Sequence, residues 1–210
     1  MSEYALKVNV PGSTILIVSF AGHDKNIGGI PRFEFVHFLQ KRFPHVSRHF
    51  YMDPHLNMYH QGIPGIGNTV DECAAYLKNE IQGFQQVVFV GASSGGYAAI
   101  LFGSLLGVQS VVAFIPQTLR TRLDKVDEKY RDLAPRIHAT TQYYLFGNTR
   151  ISDIKDCHHI SHCERIAHHP NVFLKRQEWV DLQNMRNTGV LYDIIHKACI
   201  EVSKTSGRVA

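Results

Sequence analysis

The chain has 210 residues, 44% of them hydrophobic and 19% charged, which is long enough for a full core and too balanced for a disordered or fibrous polymer. Its 22 Lys+Arg against 18 Asp+Glu leave +4 at pH 7, a small surplus spread along the chain, and this argues against nucleic acid as a partner. Cys73, Cys157, Cys163 and Cys199 form no C-x-x-C pair and read as the reduced thiols of a cytoplasmic protein. The first residues lack the basic and apolar regions of a signal peptide, so no secretion is expected.

In chain order, residues 14–20 are an apolar, β-rich run that reads as a strand buried on both faces. Residues 32–43 carry Phe35, Phe38 and Leu39 at helical spacing after Pro31. A short strand at 49–52 leads into a long Gly/Pro/His/Asn loop at 53–68, of a length that tends to be functional. Thr69 with Glu72 forms a capping-box pattern that opens a helix through Ile81. A strand at 87–90, a helix at 97–106 and a strand at 110–115 follow, closed by Pro116.

No charge occurs between Glu80 and Arg120, and residues 98–116 are nearly all apolar, so a membrane span is one reading of this stretch. Glycines at 91, 95, 96, 103 and 107 favour instead strand, turn, helix, turn and strand in the buried centre of a sheet. Beyond it the pattern predicts a surface helix at 123–133, a strand at 142–146, a His-rich helix at 156–167, a strand at 172–175 and a last helix at about 188–202. Strands alternating with helices at this spacing imply an α/β protein: one domain over 1–210, its mostly parallel sheet covered on both faces by helices.

The sharpest chemical signal is Gly91-Ala92-Ser93-Ser94-Gly95, a G-x-S-x-G pentapeptide between a strand and a helix. A serine at the apex of such a turn projects above the sheet, and small neighbours at Gly91 and Gly95 let strand and helix approach. The Ser94 N–H, opening the helix, is placed to stabilise an oxyanion, with a second donor from Ala21 or Gly22 after the first long strand. A phosphate-binding turn is the competing reading, but neither a P-loop lysine nor a G-x-G-x-x-G accompanies it.

With these residues the chain resembles the α/β-hydrolase superfamily, as a small member without a lid domain, over nearly its whole length if a segment before residue 14 adds the first strand. Asp53-Pro54, the Tyr59–Gly67 stretch and Gly95–Gly103 resemble a group of compact bacterial hydrolase-like proteins, some tied to glycan modification. The resemblance implies Ser93 as nucleophile, an acid after the strand at 142–146 and a histidine after the last strand. Asp156 and Asp153 both lie in the acid's loop, and Asp156 fits the relatives' spacing better. A helix N-cap is the alternative role for either.

The place the resemblance assigns to the histidine, about six residues before Met185, holds Trp179, and no histidine lies between His169 and His196. His196 falls inside the last helix. Three explanations stand: a base substituted from His23, His55 or His60 at the same sheet edge, a pseudoenzyme that kept the pocket for binding, or a displaced alignment in which His168 or His169 serves. The loop with His55 and Tyr59 is a candidate substrate wall, or a packed connection.

Residues 157–163 place His158 with His162, and His159 with Cys163, at i,i+4, which on a helix suits zinc. Without an H-E-x-x-H or a paired C-x-x-C, a polar surface helix with no metal is the expectation. The functional expectation is ester hydrolysis or acyl transfer through Ser93 on a small-molecule or glycan-linked substrate, with an inactive binding module as the alternative. Hydrolysis needs no cofactor; transfer would use an activated donor such as acetyl-CoA.

Overall fold

The computed structural model describes residues 2–23, 33–120 and 125–200. Among them, seven strands form one sheet in the order β1-β3-β2-β4-β5-β6-β7. The strands are β1 (Ala5–Val8), β2 (Ile15–Phe20), β3 (Ser47–Tyr51), β4 (Gln86–Ala92), β5 (Ser110–Phe114), β6 (Gln142–Asn148) and β7 (Val172–Gln177). Only β1, against β3, pairs antiparallel; every other neighbouring pair is parallel.

The continuous apolar runs read from the sequence are strands covered on both sides, and their alternation divides the core in two. Leu16, Val18, Phe20, Phe89 and Val111 face a cluster shared with α2 (Val70–Glu80) and α3 (Ser94–Leu106). Ile17, Val88, Val90, Val112 and Phe114 face a second cluster shared with α1 (Val36–Arg42), α5 (Leu182–Asn187) and α6 (Val190–Ile200). The uncharged stretch around residues 98–116 is therefore α3 and β5 in the middle of the core, and among the described residues no helix is long and apolar enough to cross a membrane.

Local signals account for most boundaries. Thr69 caps α2 by accepting the Glu72 N–H, while the Glu72 carboxylate accepts the Asn68 N–H, one residue outside the usual box. Gly107, in the left-handed region at φ 61°, ends α3. The last predicted helix, at about 188–202, is α6, which starts after Gly189, whose φ is 86°; α5, just before it, was not predicted.

Two predicted helices are not formed. Of residues 123–133, 123 and 124 lie outside the described residues, and the rest contain only a 3-10 turn at Glu128–Tyr130. Of residues 156–167, only α4 (Ser161–Glu164) is helical. In both segments Asx-type contacts replace helical pairing: Asp127 accepts the Lys129 N–H and Asp156 the His158 N–H.

A very close backbone approach lies beneath residue 93. A Cβ on Gly95 would stand 2.1 Å from the Phe20 carbonyl oxygen, and one on Gly91 would stand 2.2 Å from the Gly95 carbonyl oxygen. Neither neighbour is a side chain that can swing aside, so Gly95→Ala should cost about 3 kcal/mol or more. Urea denaturation checks this, with Gly83→Ala, at a turn with open space around it, losing only the smaller cost of its positive φ.

Candidate active site

Ser93 stands between β4 and α3 at φ 53°, ψ −118°, a backbone region that a non-glycine residue occupies at a cost of about 1–3 kcal/mol. Three contacts hold it there. Its N–H donates to the Phe114 carbonyl at 2.9 Å, its carbonyl accepts the Tyr97 N–H at 3.0 Å, and the glycine pair below leaves no other path for the chain. The side chain is thereby lifted to the carboxyl end of the sheet, partly accessible to solvent.

The group it meets is His158, whose Nε2 lies 2.7 Å from Ser93 Oγ. His158 belongs to the loop after β6, two residues beyond Asp156. That loop is anchored on both flanks: His159 bridges to Asn148 at the end of β6, and α4 packs back on β6. Cys163 is buried there, against the space where a Gly147 side chain would be. Burial holds the His158 ring below the ordinary imidazole value, with the Asp156 charge acting in the opposite direction, so the ring is largely neutral at pH 7. A neutral imidazole nitrogen at this distance can take the proton of a serine hydroxyl.

Neither aspartate of the loop hydrogen-bonds the ring. The Asp156 carboxylate accepts the His158 backbone N–H at 2.8 Å and lies within 4.8 Å of a His158 ring nitrogen. That distance allows charge stabilisation without a direct bond. Asp153 accepts the Lys155 N–H in an exposed turn.

The other histidines proposed as the base are engaged elsewhere, and none has a hydrogen bond to Ser93 among the described residues. His60 is buried; its Nδ1 accepts the Asp127 N–H at 3.3 Å, so its Nε2 carries the proton and donates to Tyr97 Oη at 2.9 Å. Tyr97 in turn donates to the Tyr130 carbonyl, so His60 pins the 127–130 segment to α3. His23 Nε2 lies 3.4 Å from the Met58 N–H. His55 is exposed, its N–H donating to Asp53. His162 accepts the Thr118 N–H through Nδ1, which removes it from the i,i+4 zinc pairing with His158 that the sequence offered. The His168 and His169 rings pack against each other at a tilt in the turn before β7.

The loop at 53–68 is built rather than loose. Asp53, buried, accepts the N–H groups of His55, Asn57 and Tyr59 at 2.7–2.9 Å, which holds Leu56, Met58 and Tyr59 at positive φ. Tyr59 is fully buried, and its hydroxyl donates to the Ala21 and Tyr51 carbonyls. It is a core residue, not a substrate wall.

The proposed oxyanion donors divide. Ser94 opens α3, where first-turn N–H groups lack an intrahelical acceptor. The Ala21 N–H, in contrast, donates to the Tyr51 carbonyl at 2.9 Å as a continuation of the sheet, and the Gly22 N–H donates to the Glu34 carboxylate at 3.0 Å. A carboxylate oxygen thus sits on the Gly22 N–H, where an oxyanion would bind. A separate cleft of about 740 Å³, lined by Phe33, Glu34, Phe38, Leu182 and Arg186, lies on the α1 side, and neither Ser93 nor His158 lines it. Trp179, at the position the resemblance gave to the histidine, is 60% exposed.

His158 is not legible as a base from the sequence, because the superfamily order places the histidine beyond the last strand. One signal was present: a histidine two residues from the favoured acid, in the loop where that acid was expected.

No protein-family model and no curated protein matches the chain by sequence. Solved structures do match by fold. The capsule O-acetyltransferase of Neisseria meningitidis serogroup A superposes with a TM-score of 0.64 at 14% identity, over 91% of this chain and 89% of that one. An esterase of Pyrococcus furiosus gives 0.57 at 13% identity over 92% and 90%. A lipase-esterase related protein of Clostridium acetobutylicum gives 0.56 at 15% identity over 91% and 98%. The chain shares their α/β fold.

The His60 contact carries a pH dependence. Burial, followed by the Arg120 charge, pushes its pKa down to about 4, below the value near 6.5 of an unfolded chain. The stability that goes with the neutral ring is present above pH 6.5 and lost as pH falls through about 4. The expected slope is roughly 1.4 kcal/mol per pH unit in that window. Urea denaturation at pH 7 and pH 5 should show a smaller pH difference for His60→Gln than for the parent.

Proposed function

We propose that the protein is a serine hydrolase or acyltransferase in which Ser93 is the nucleophile and His158 its base. The observation that carries this reading is the 2.7 Å separation of Ser93 Oγ and His158 Nε2 at a strained strand-to-helix turn. Ser93 Oγ bonds to the carbonyl carbon of an ester as its proton passes to His158 Nε2. The oxyanion forms against the Ser94 N–H at the positive end of α3. His158 then protonates the departing alkoxide, leaving an acyl group on Ser93. Water ends the cycle as hydrolysis; a hydroxyl of an acceptor ends it as transfer.

Asp156 assists in two ways in this scheme. Its carboxylate fixes the His158 backbone, and its charge steadies the imidazolium. Base and acid then come from one loop, with Trp179 in the place left vacant after the last strand. The fold shared with an O-acetyltransferase and an esterase supports acyl chemistry of either outcome. A small-molecule or glycan-linked ester is the substrate class we infer.

A second reading, a catalytically inactive binding module, draws on the occupied N–H groups of Ala21 and Gly22, which leave the oxyanion with fewer donors. One experiment separates the two. Incubation with a fluorophosphonate probe, read by intact mass, should give a single adduct that Ser93→Ala abolishes. His158→Gln should slow labelling about 10²- to 10⁴-fold, and Asp156→Asn should slow it less. A parent protein that stays unlabelled under conditions that label a known esterase establishes the binding module instead.

A further inference from the structure

The turn that carries His158 brings a second set of donors together. One ligand atom each from Asp156, Cys157 and His158 lies within 4.8 Å of the other two. Carboxylate, thiol and imidazole are three donor types that zinc takes, and the thiolate selects for it over magnesium or calcium. Ligands on a tetrahedral zinc stand roughly 3.5 Å apart, so only a modest closure of an exposed turn is required. The Asp156 carboxylate is already tied to the His158 N–H, which limits what the turn must give up on binding.

The remaining cysteines are poor competitors. Cys73, Cys163 and Cys199 are buried, and burial pushes their thiols up to about 11, 12 and 12, whereas Cys157 is exposed.

We propose that Asp156, Cys157 and His158 form a binding site for a soft divalent cation, zinc foremost, and that its occupancy disconnects His158 from Ser93. On binding, the Cys157 thiol releases its proton and the thiolate coordinates the metal. His158 contributes the lone pair of one ring nitrogen. A neutral imidazole has a single such lone pair: if the metal takes Nε2, Ser93 loses its partner directly, and if it takes Nδ1, the proton moves to Nε2, which can no longer accept. Either way Ser93 is left without a base. The metal is a reversible brake, and removing it restores the 2.7 Å contact. The silencing half of this inference rests on the reading of Ser93 and His158 as a working pair; the binding half does not.

Two measurements test the halves separately. Titration of the full chain with Co²⁺ should produce the intense near-ultraviolet thiolate-to-cobalt band, absent in Cys157→Ser, and calorimetric titration with zinc should give a Kd raised at least about tenfold in that variant. Absence of the band, or a Kd unchanged in Cys157→Ser, overturns the site and assigns any zinc uptake to the other surface histidines. Fluorophosphonate labelling of Ser93 should then fall with added zinc, recover with EDTA, and become insensitive to the same zinc concentration in Cys157→Ser, which labels normally without metal. A cobalt band with labelling indifferent to zinc overturns the brake and leaves the site standing. A parent protein that never labels refutes the hydrolase reading and removes the brake with it, while the cobalt band still decides the site.

Discussion

The contact on which the rest depends is one between backbones. Where β4 turns into α3, the chain passes so close to the end of β2 that the carbonyl of Phe20 occupies the place of a Gly95 side chain. Glycine at 91 and 95 is the condition for that passage, and the left-handed conformation of Ser93 follows from it. The cost of that conformation, about 1–3 kcal/mol, is borne by the surrounding packing. α3 is buried almost throughout, and Phe20 stacks or packs edge-on with Tyr51, Tyr59, Phe89 and Phe102. A rigid aromatic cluster under the turn keeps a strained hydroxyl in one position.

Around that fixed hydroxyl the strand ends supply different things. The β3 end supplies a loop organised by one buried carboxylate, Asp53, whose three accepted N–H groups make it a wall with little freedom. The β6 end supplies His158 and Asp156 on a turn whose residues 152–157 are exposed. On our reading the contrast suits function, because a turn that exchanges a proton and accepts a metal benefits from room to adjust.

Much of the fold was legible in the sequence because it is written locally. Continuous apolar runs at 14–20, 87–90 and 110–115 marked strands covered on both sides, and Thr69 with Glu72 marked the start of α2. The segments at 123–133 and 156–167 were misread as helices because aspartates there prefer bonds to backbone N–H groups two residues on, a competition that charge and periodicity do not reveal. Ser93 was legible from the spacing of its glycines. Its partner was not, since 65 residues separate Ser93 from His158 and only the packing of α4 and the end of β6 brings them together. Likewise, nothing local distinguishes His60, which bonds Tyr97, from a histidine free to act as a base.

Asn148 ends β6, and its side-chain oxygen accepts the Val180 N–H at 2.6 Å, while the next residue, Thr149, donates its N–H to the Gln177 carbonyl at 2.8 Å. The chain beyond β7 therefore grips the root of the loop that bears His158, and among its described residues none has a hydrogen bond to the side chain of Ser93 or His158. Among the described residues beyond 177, the link to His158 runs through the seating of that loop. A substitution in that last stretch would reach Ser93 and His158 by shifting the root of the loop, through the position of His158 and not through its bonding partners.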